Sequence, residues 1–150
     1  MATIALYNLS WDENTRLSVI AQGGMRAIGI ISTEQEDTET AQCARQVLYN
    51  LSCCAENVVA LVQEGVIEMV RKLSKLSVDG HVITTHYMSL ILAWTLFNLS
   101  TDERNLARMV ELGAVVLCCQ LFEDGQSALP PSLAGAAGGT AGGAGGGGGT

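Results

Sequence analysis

Val47-Leu48-Tyr49-Asn50-Leu51-Ser52 decides the fold, because the chain writes it three times. Ala5-Leu6-Tyr7-Asn8-Leu9-Ser10 comes before it and Leu96-Phe97-Asn98-Leu99-Ser100 after it, with Asn-to-Asn spacings of 42 and 48 residues. Each Asn is followed fifteen residues later by a glycine: Gly23, Gly65 and Gly113. Between Asn and Gly, Ile20, Val62 and Val110 share a column. Beyond the glycine, Ile28, Val70 and Cys118 share another, as do Ile31, Leu73 and Leu121. A period of this length, built from apolar positions at helical spacing, predicts an all-α chain of stacked helical units, an α-solenoid. Such arrays present a long concave face to other chains, and that directs the functional reading toward binding.

Each period divides into three predicted helices. Residues 1–10 read as the end of a third helix. First helices follow at 14–22, 56–64 and 103–111, each stopping at the repeating glycine, as a C-terminal cap with positive φ would require. Second helices are expected at 25–31, 67–76 and 114–122, and third helices at 39–51 and 82–99. Ser10 with Glu13 and Ser100 with Glu103 have capping-box spacing; Ser52 has Glu56 one position late. The links into the third helices differ. One is acidic, from Ser32 to Asp37, with Asp37 as the expected cap. The other, through Asp79 and Gly80, is longer and absorbs the six extra residues. Insertions of this kind belong in loops. The organisation is therefore a partial repeat over 1–10, repeats over 11–52 and 53–100, and a partial repeat over 101–122. From 123 to 150 the chain turns to Pro130-Pro131 and then Gly, Ala and Thr, which reads as a disordered tail.

Composition narrows the function. Net charge is −7 and the pI is about 4.6, so nothing offers phosphate a basic stripe and nucleic acid is not an expected partner. The five cysteines include two adjacent pairs, Cys53-Cys54 and Cys118-Cys119, beside Cys43. Neighbouring cysteines rarely bridge each other, so the reading is a reducing, intracellular and cytoplasmic setting, with cytoskeleton, cilium and nucleus left open. Cys54, Cys118 and Cys119 read as small core residues, and no ligand spacing for zinc is present. His81 and His86 stand five apart without a metal partner set. The apolar stretch from Tyr87 to Leu99 is too short to span a bilayer and reads as a buried core helix. Arg71, Lys72 and Lys75 read as surface cations near a helix C-terminus. No nucleophile–base set and no phosphate-cradling loop is legible, so the chain is read as no enzyme, with no cofactor and no metal.

Taken together, these motifs resemble the armadillo repeat. Its unit of about 42 residues has three helices, the third ending in A-L-x-N-L-S and the first reading N-x-x-x-I-V-x-x-G. The third-helix pattern corresponds to the six-residue segments ending at Ser10 and Ser52, the first-helix pattern to Asn57 through Gly65 and Asn105 through Gly113. The likeness covers residues 1–122. Three features depart from it: an extra residue between Asn14 and Gly23, the longer second link, and the absence of proline after the glycine. It extends weakly to importin-alpha-type and catenin-type repeats without selecting a subfamily.

The resemblance implies a right-handed α-solenoid of about three repeats, first and last incomplete, whose third helices line an inner groove. It places Asn8, Asn50 and Asn98 on that groove, where a side-chain amide offers a donor and an acceptor to an extended peptide backbone. An Asn near a helix C-terminus can equally serve as a left-handed cap, and that reading stays open beside the first. Trp94 and Asn98 form W-x-x-x-N, four apart and so on one helix face. In the family's nuclear-import adaptors that pair holds a basic peptide. Ile4 and Gln46 occupy the Trp position in the other copies, and Gln46 joins the candidate groove set. Trp94 as a core residue is the competing reading. Three functions follow: a scaffold binding an extended partner segment, an import-type adaptor for basic peptides, or a structural segment of a larger cytoskeletal or axonemal assembly. In each the partner is a protein or peptide, with end-to-end stacking on further repeats as a second mode.

Overall fold

The computed structural model describes residues 2–34, 38–76 and 82–127. Over these residues the chain is all-α, with nine helices and no strand. They are α1 (Ala2–Trp11), α2 (Glu13–Ala21), α3 (Gly24–Glu34), α4 (Thr38–Ser52), α5 (Val58–Gln63), α6 (Val66–Lys75), α7 (Val82–Ser100), α8 (Glu103–Glu111) and α9 (Ala114–Ser127). The expected cap at Asp37, the link through Asp79 and Gly80, His81 and the tail from 128 lie outside the described residues.

The helix boundaries come from side chains acting on nearby backbone. Gly23, Gly65 and Gly113 have φ of 83°, 85° and 77°, as the repeating glycine suggested. Each turns the chain sharply from one helix into the next; α8 and α9 meet at 80°. The capping boxes are a correction. Ser10 and Ser100 are helical, and each hydroxyl donates back to a carbonyl three residues earlier, Tyr7 O and Phe97 O, at 2.7 Å; Ser52 does the same to Tyr49 O. The caps are Asp12 and Asp102, whose carboxylates accept from the N–H of Asn14 and Arg104. A serine satisfied by its own helix leaves the cap to the next acceptor, and a carboxylate suits the positive helix end.

One side chain per junction ties the new helix to the old one. Asn57 Nδ2 donates to Leu51 O at 3.3 Å, and Asn105 Nδ2 donates to Leu99 O at 2.9 Å and to Val58 O at 3.0 Å. In the first copy the Thr15 hydroxyl reaches Leu9 O. Thr15, and not Asn14, therefore fills the column, and the extra residue read between Asn14 and Gly23 disappears.

α4 lies between α1 and α7, α6 contacts α3 and α9, and α5 contacts α8. Leu48, Leu51, Leu61, Val66, Val70, Leu73, Leu96 and Leu99 fill one continuous core. Each fully buried aliphatic side chain contributes roughly 1.5–3 kcal/mol, so these columns are the main source of stability. α9 runs past Phe122 to Ser127 and forms the most extensive helix pair of the fold with α7. His86 Nδ1 meets Gly125 O at 2.9 Å and pins that end.

Other expectations need correcting. α7 is not buried all round: Tyr87, Leu90, Trp94 and Phe97 are exposed on one side. Cys118 and Cys119 are exposed, whereas Cys54 is buried. Arg71 reaches the carbonyl of Leu112 and pairs with Glu68, so it joins α6 to the end of α8. Arg45, unremarked in the sequence, is 1% exposed and donates to Leu73 O at 2.6 Å and Leu76 O at 2.9 Å, at the C-terminal end of α6. Arg16 likewise donates to Ser10 O and Trp11 O at the end of α1. Three arginines thus sit at negative helix ends, where carbonyls lack helical partners.

Candidate interaction surface

α1, α4 and α7 carry the repeated motif at their C-terminal ends. Asn8, Asn50 and Asn98 lie inside these helices, so the left-handed cap role open to them in the sequence does not apply. Their environments differ: Asn8 is exposed, Asn50 buried and Asn98 half-buried. Asn50 Nδ2 donates to Ser10 Oγ at 2.9 Å, while its Oδ1 accepts from Gln46 Nε2 at 3.3 Å. Asn98 Nδ2 donates to Ser52 Oγ at 3.0 Å and also approaches Cys53 Sγ at 3.6 Å. Each amide thus reaches the serine of the preceding motif. Each serine has given its own proton to a backbone carbonyl and keeps its lone pairs for the incoming N–H. Sequence reasoning missed this bond. Its signal was present, because every copy of the motif carries both the Asn and the Ser.

Asn50 is consequently occupied inside the protein, with Gln46 beside it. Asn98 is more open, and Trp94 one turn before it is 48% exposed, so it is not a core residue. Trp94 packs edge-on to Phe97 with ring centroids 5.4 Å apart. Leu90, Ala93, Trp94 and Phe97 line a shallow depression along α7. Tyr7 and Trp11 on α1 make a matching edge-on pair at 5.8 Å. α1 and α7 contain no Asp, Glu, Lys or Arg, and α4 has only Glu39 and Arg45. The exposed side of α7 is therefore apolar and aromatic with one amide at its edge. Tyr49 lies near its end, its phenol raised above the ordinary range first by the neighbouring Cys53 thiol and then by burial.

Among the described residues no group of three or more His, Cys, Asp or Glu side chains could hold a metal ion. The Cys54 thiol is raised by burial and then by its bond to the Glu56 carboxylate at 3.1 Å, and Cys118 is raised by burial. Both shifts favour the thiol over the nucleophilic thiolate. No single described helix is long and apolar enough to cross a membrane. Comparison with family models, with curated proteins and with solved structures returned no match.

Proposed function

We propose that this chain is a non-enzymatic interaction scaffold of the armadillo type, a right-handed solenoid that takes an extended partner segment along the exposed side of its third helices. The observation that carries this reading is Trp94, half exposed on an uncharged helix, one turn from the partly open amide of Asn98. A large aromatic with half of its surface open gives a partner side chain a surface to cover, and the amide carbonyl is an acceptor for a backbone N–H. The chemistry favours an apolar or aromatic segment. A basic one would need carboxylates on these helices, and their absence from α1 and α7 counts against the import-type reading. Within this reading Asn50 and Gln46 keep the helix interface rigid, and Trp94 and Asn98 touch the partner.

An array of extended peptides of varied composition tests the proposal. Apolar or aromatic peptides should bind, and Trp94→Ala should abolish the signal while leaving helicity unchanged. Asn98→Ala should weaken it. Selective capture of Lys-rich peptides with strong salt dependence would instead favour the import-type adaptor. Binding indifferent to both substitutions would overturn the proposal.

A further inference from the structure

We infer that the partner segment is rich in proline, and that it lies along α7 as a polyproline helix with two of its carbonyls held by Tyr87 and Trp94. This inference rests on the interaction-scaffold reading above and narrows its partner to one chemical class.

Tyr87, Leu90, Trp94 and Asn98 are spaced i, i+3, i+7 and i+11, which places them on a single face of α7. The first three are exposed and Asn98 is half-buried. Two of the four are hydrogen-bond donors with nothing to donate to. The Tyr87 hydroxyl and the Trp94 indole N–H have no acceptor among the described residues. An indole can only donate. The face carries no charge, since α7 contains no Asp, Glu, Lys or Arg. It therefore suits a ligand with acceptors, apolar bulk and no charge. Proline has that chemistry, because it brings a carbonyl and a hydrocarbon ring and has no N–H to satisfy.

Spacing separates this class from other extended segments. Seven residues of α-helix set Tyr87 and Trp94 about 10 Å apart along the axis of α7. A polyproline helix turns once in three residues and about 9 Å, so every third carbonyl returns to the same edge at nearly that distance. A β-strand returns to the same edge after two residues and about 7 Å, and its third residue points away. One of the two donors would then go without a partner. The polyproline backbone has no internal hydrogen bonds, so its carbonyls are free for both. Its rings have a seat as well. Trp94 stands edge-on to Phe97, and with Leu90 and Ala93 the pair lines a shallow depression. Aromatic-lined depressions take proline rings at small entropic cost, because the segment is ordered before it binds. Asn98 Nδ2 is committed to Ser52 Oγ at 3.0 Å, which leaves Oδ1 as the acceptor for one N–H where the prolines end.

Calorimetric titration of the whole chain with two uncharged, acetylated nonapeptides tests this. One is built of alanine-proline-proline units, the other of alanine, valine and threonine without proline. The proline peptide should bind about tenfold more tightly. It should also move the Trp94 indole signal, one of two in the chain, downfield in nitrogen-correlated NMR. Tyr87→Phe and Trp94→Phe each keep a ring and remove a donor. Each should weaken the proline peptide about fivefold, the effect of one hydrogen bond, and Tyr87→Phe should leave the other peptide unchanged. Proline-free peptides that bind while the proline peptide does not would overturn this inference and leave the scaffold reading standing. No binding by any peptide of the array described above would overturn both. The chain has a Pro130-Pro131 pair of its own. If Pro130→Ala with Pro131→Ala is needed before the proline peptide binds, the occupant is the chain itself, and a separate partner is ruled out.

Discussion

Asn50 donates from Nδ2 to Ser10 Oγ at 2.9 Å across forty residues of sequence. The bond is buried, and Gln46 completes the amide's acceptor side at 3.3 Å. Removing the amide strands a serine oxygen and a glutamine donor in an interface with little access to water. Asn50→Ala should therefore cost about 1–3 kcal/mol, the range for an orphaned buried partner. Asn98→Ala removes the corresponding bond at a more open site, where water can replace the amide, and should cost less than 1 kcal/mol, roughly the net value of one bond. Urea denaturation of the two variants checks the order, which reverses if Asn98 is the structural residue.

Asn105 uses both of its amide hydrogens, one on Leu99 O at 2.9 Å and one on Val58 O at 3.0 Å. It therefore holds α8 to α7 and to α5 at once. Asn105→Ala should destabilise by roughly 2–3 kcal/mol, since two buried carbonyls lose their donor. Asn105→Thr should recover part of that loss, because Thr15 performs the single-bond version of the task in the first copy. Chemical denaturation of the pair gives the comparison. A threonine no better than alanine would mean that the bond to Val58 carries the effect.

The repeat makes the helix order and the turn glycines legible, because spacing alone requires a reversal at Gly23, Gly65 and Gly113. What escapes are interactions between copies. Ser10 and Ser100 have capping-box spacing, yet a local rule cannot see that each hydroxyl returns to its own helix and that the Ser10 oxygen accepts from the next motif. Cys118 shares a column with the buried Val70, so the pattern places it in the core. Its exposure depends on which helix lies against α9, and no local pattern encodes that. Arg45 has only a faint signal, a charge in a column otherwise held by Thr3 and Ala93. Trp94 is undecidable between core and surface from sequence, since a helix apolar all round does not say which side is covered.

Gly24 and Gly65 separate two reasons for glycine. Gly65 has φ of 85°, and a Cβ there would meet nothing within 4 Å, so Gly65→Ala incurs only the left-handed backbone cost, about 1–2 kcal/mol. Gly24 is helical, but a Cβ there would lie 2.5 Å from Val19 Cγ1 and 2.6 Å from Val19 O. Backbone must move to admit it, and such overpacking costs typically about 1–3 kcal/mol. Val19→Ala should relieve only the side-chain part of the clash. Melting temperatures of Gly24→Ala with and without Val19→Ala measure that share; full rescue would place the whole conflict in the Val19 side chain.

Asp102 caps α8 and also accepts from the Arg104 side chain, and that bond, followed by the Arg104 backbone N–H, holds its carboxyl down to about 2. The folded pKa lies below the ordinary 3.8, so the folded state binds this proton less readily than the unfolded chain. The cap is therefore fully stabilising above about pH 4, and its contribution is lost as pH falls through about 2. Carboxyl-detected NMR titration should give Asp102 the low midpoint. Arg104→Ala should move it upward, because the largest cause of the shift is removed. An unmoved midpoint would assign the shift to the backbone N–H alone.

Arg45 places a guanidinium among apolar residues, and burial lowers its pKa to about 10, so it remains charged at neutral pH. Its bonds to Leu73 O and Leu76 O return some of the cost of removing that charge from water. Arg45→Ala loses both bonds and leaves a cavity, and should cost about 2–4 kcal/mol, as large-to-small core changes do. Arg45→Met fills much of the space with an unbranched apolar chain and abandons only the carbonyls at the end of α6, so it should lie between wild type and alanine. The unfolded chain holds the Arg45 proton more tightly than the folded one, so the residue's contribution to stability rises with pH only above about 10. The gap between wild type and Arg45→Met should accordingly be constant from pH 6 to pH 9, about one unit short of that window. Denaturation at both pH values measures it. A methionine variant as unstable as alanine would show that the two carbonyl bonds, and not the filled volume, keep the arginine in the core.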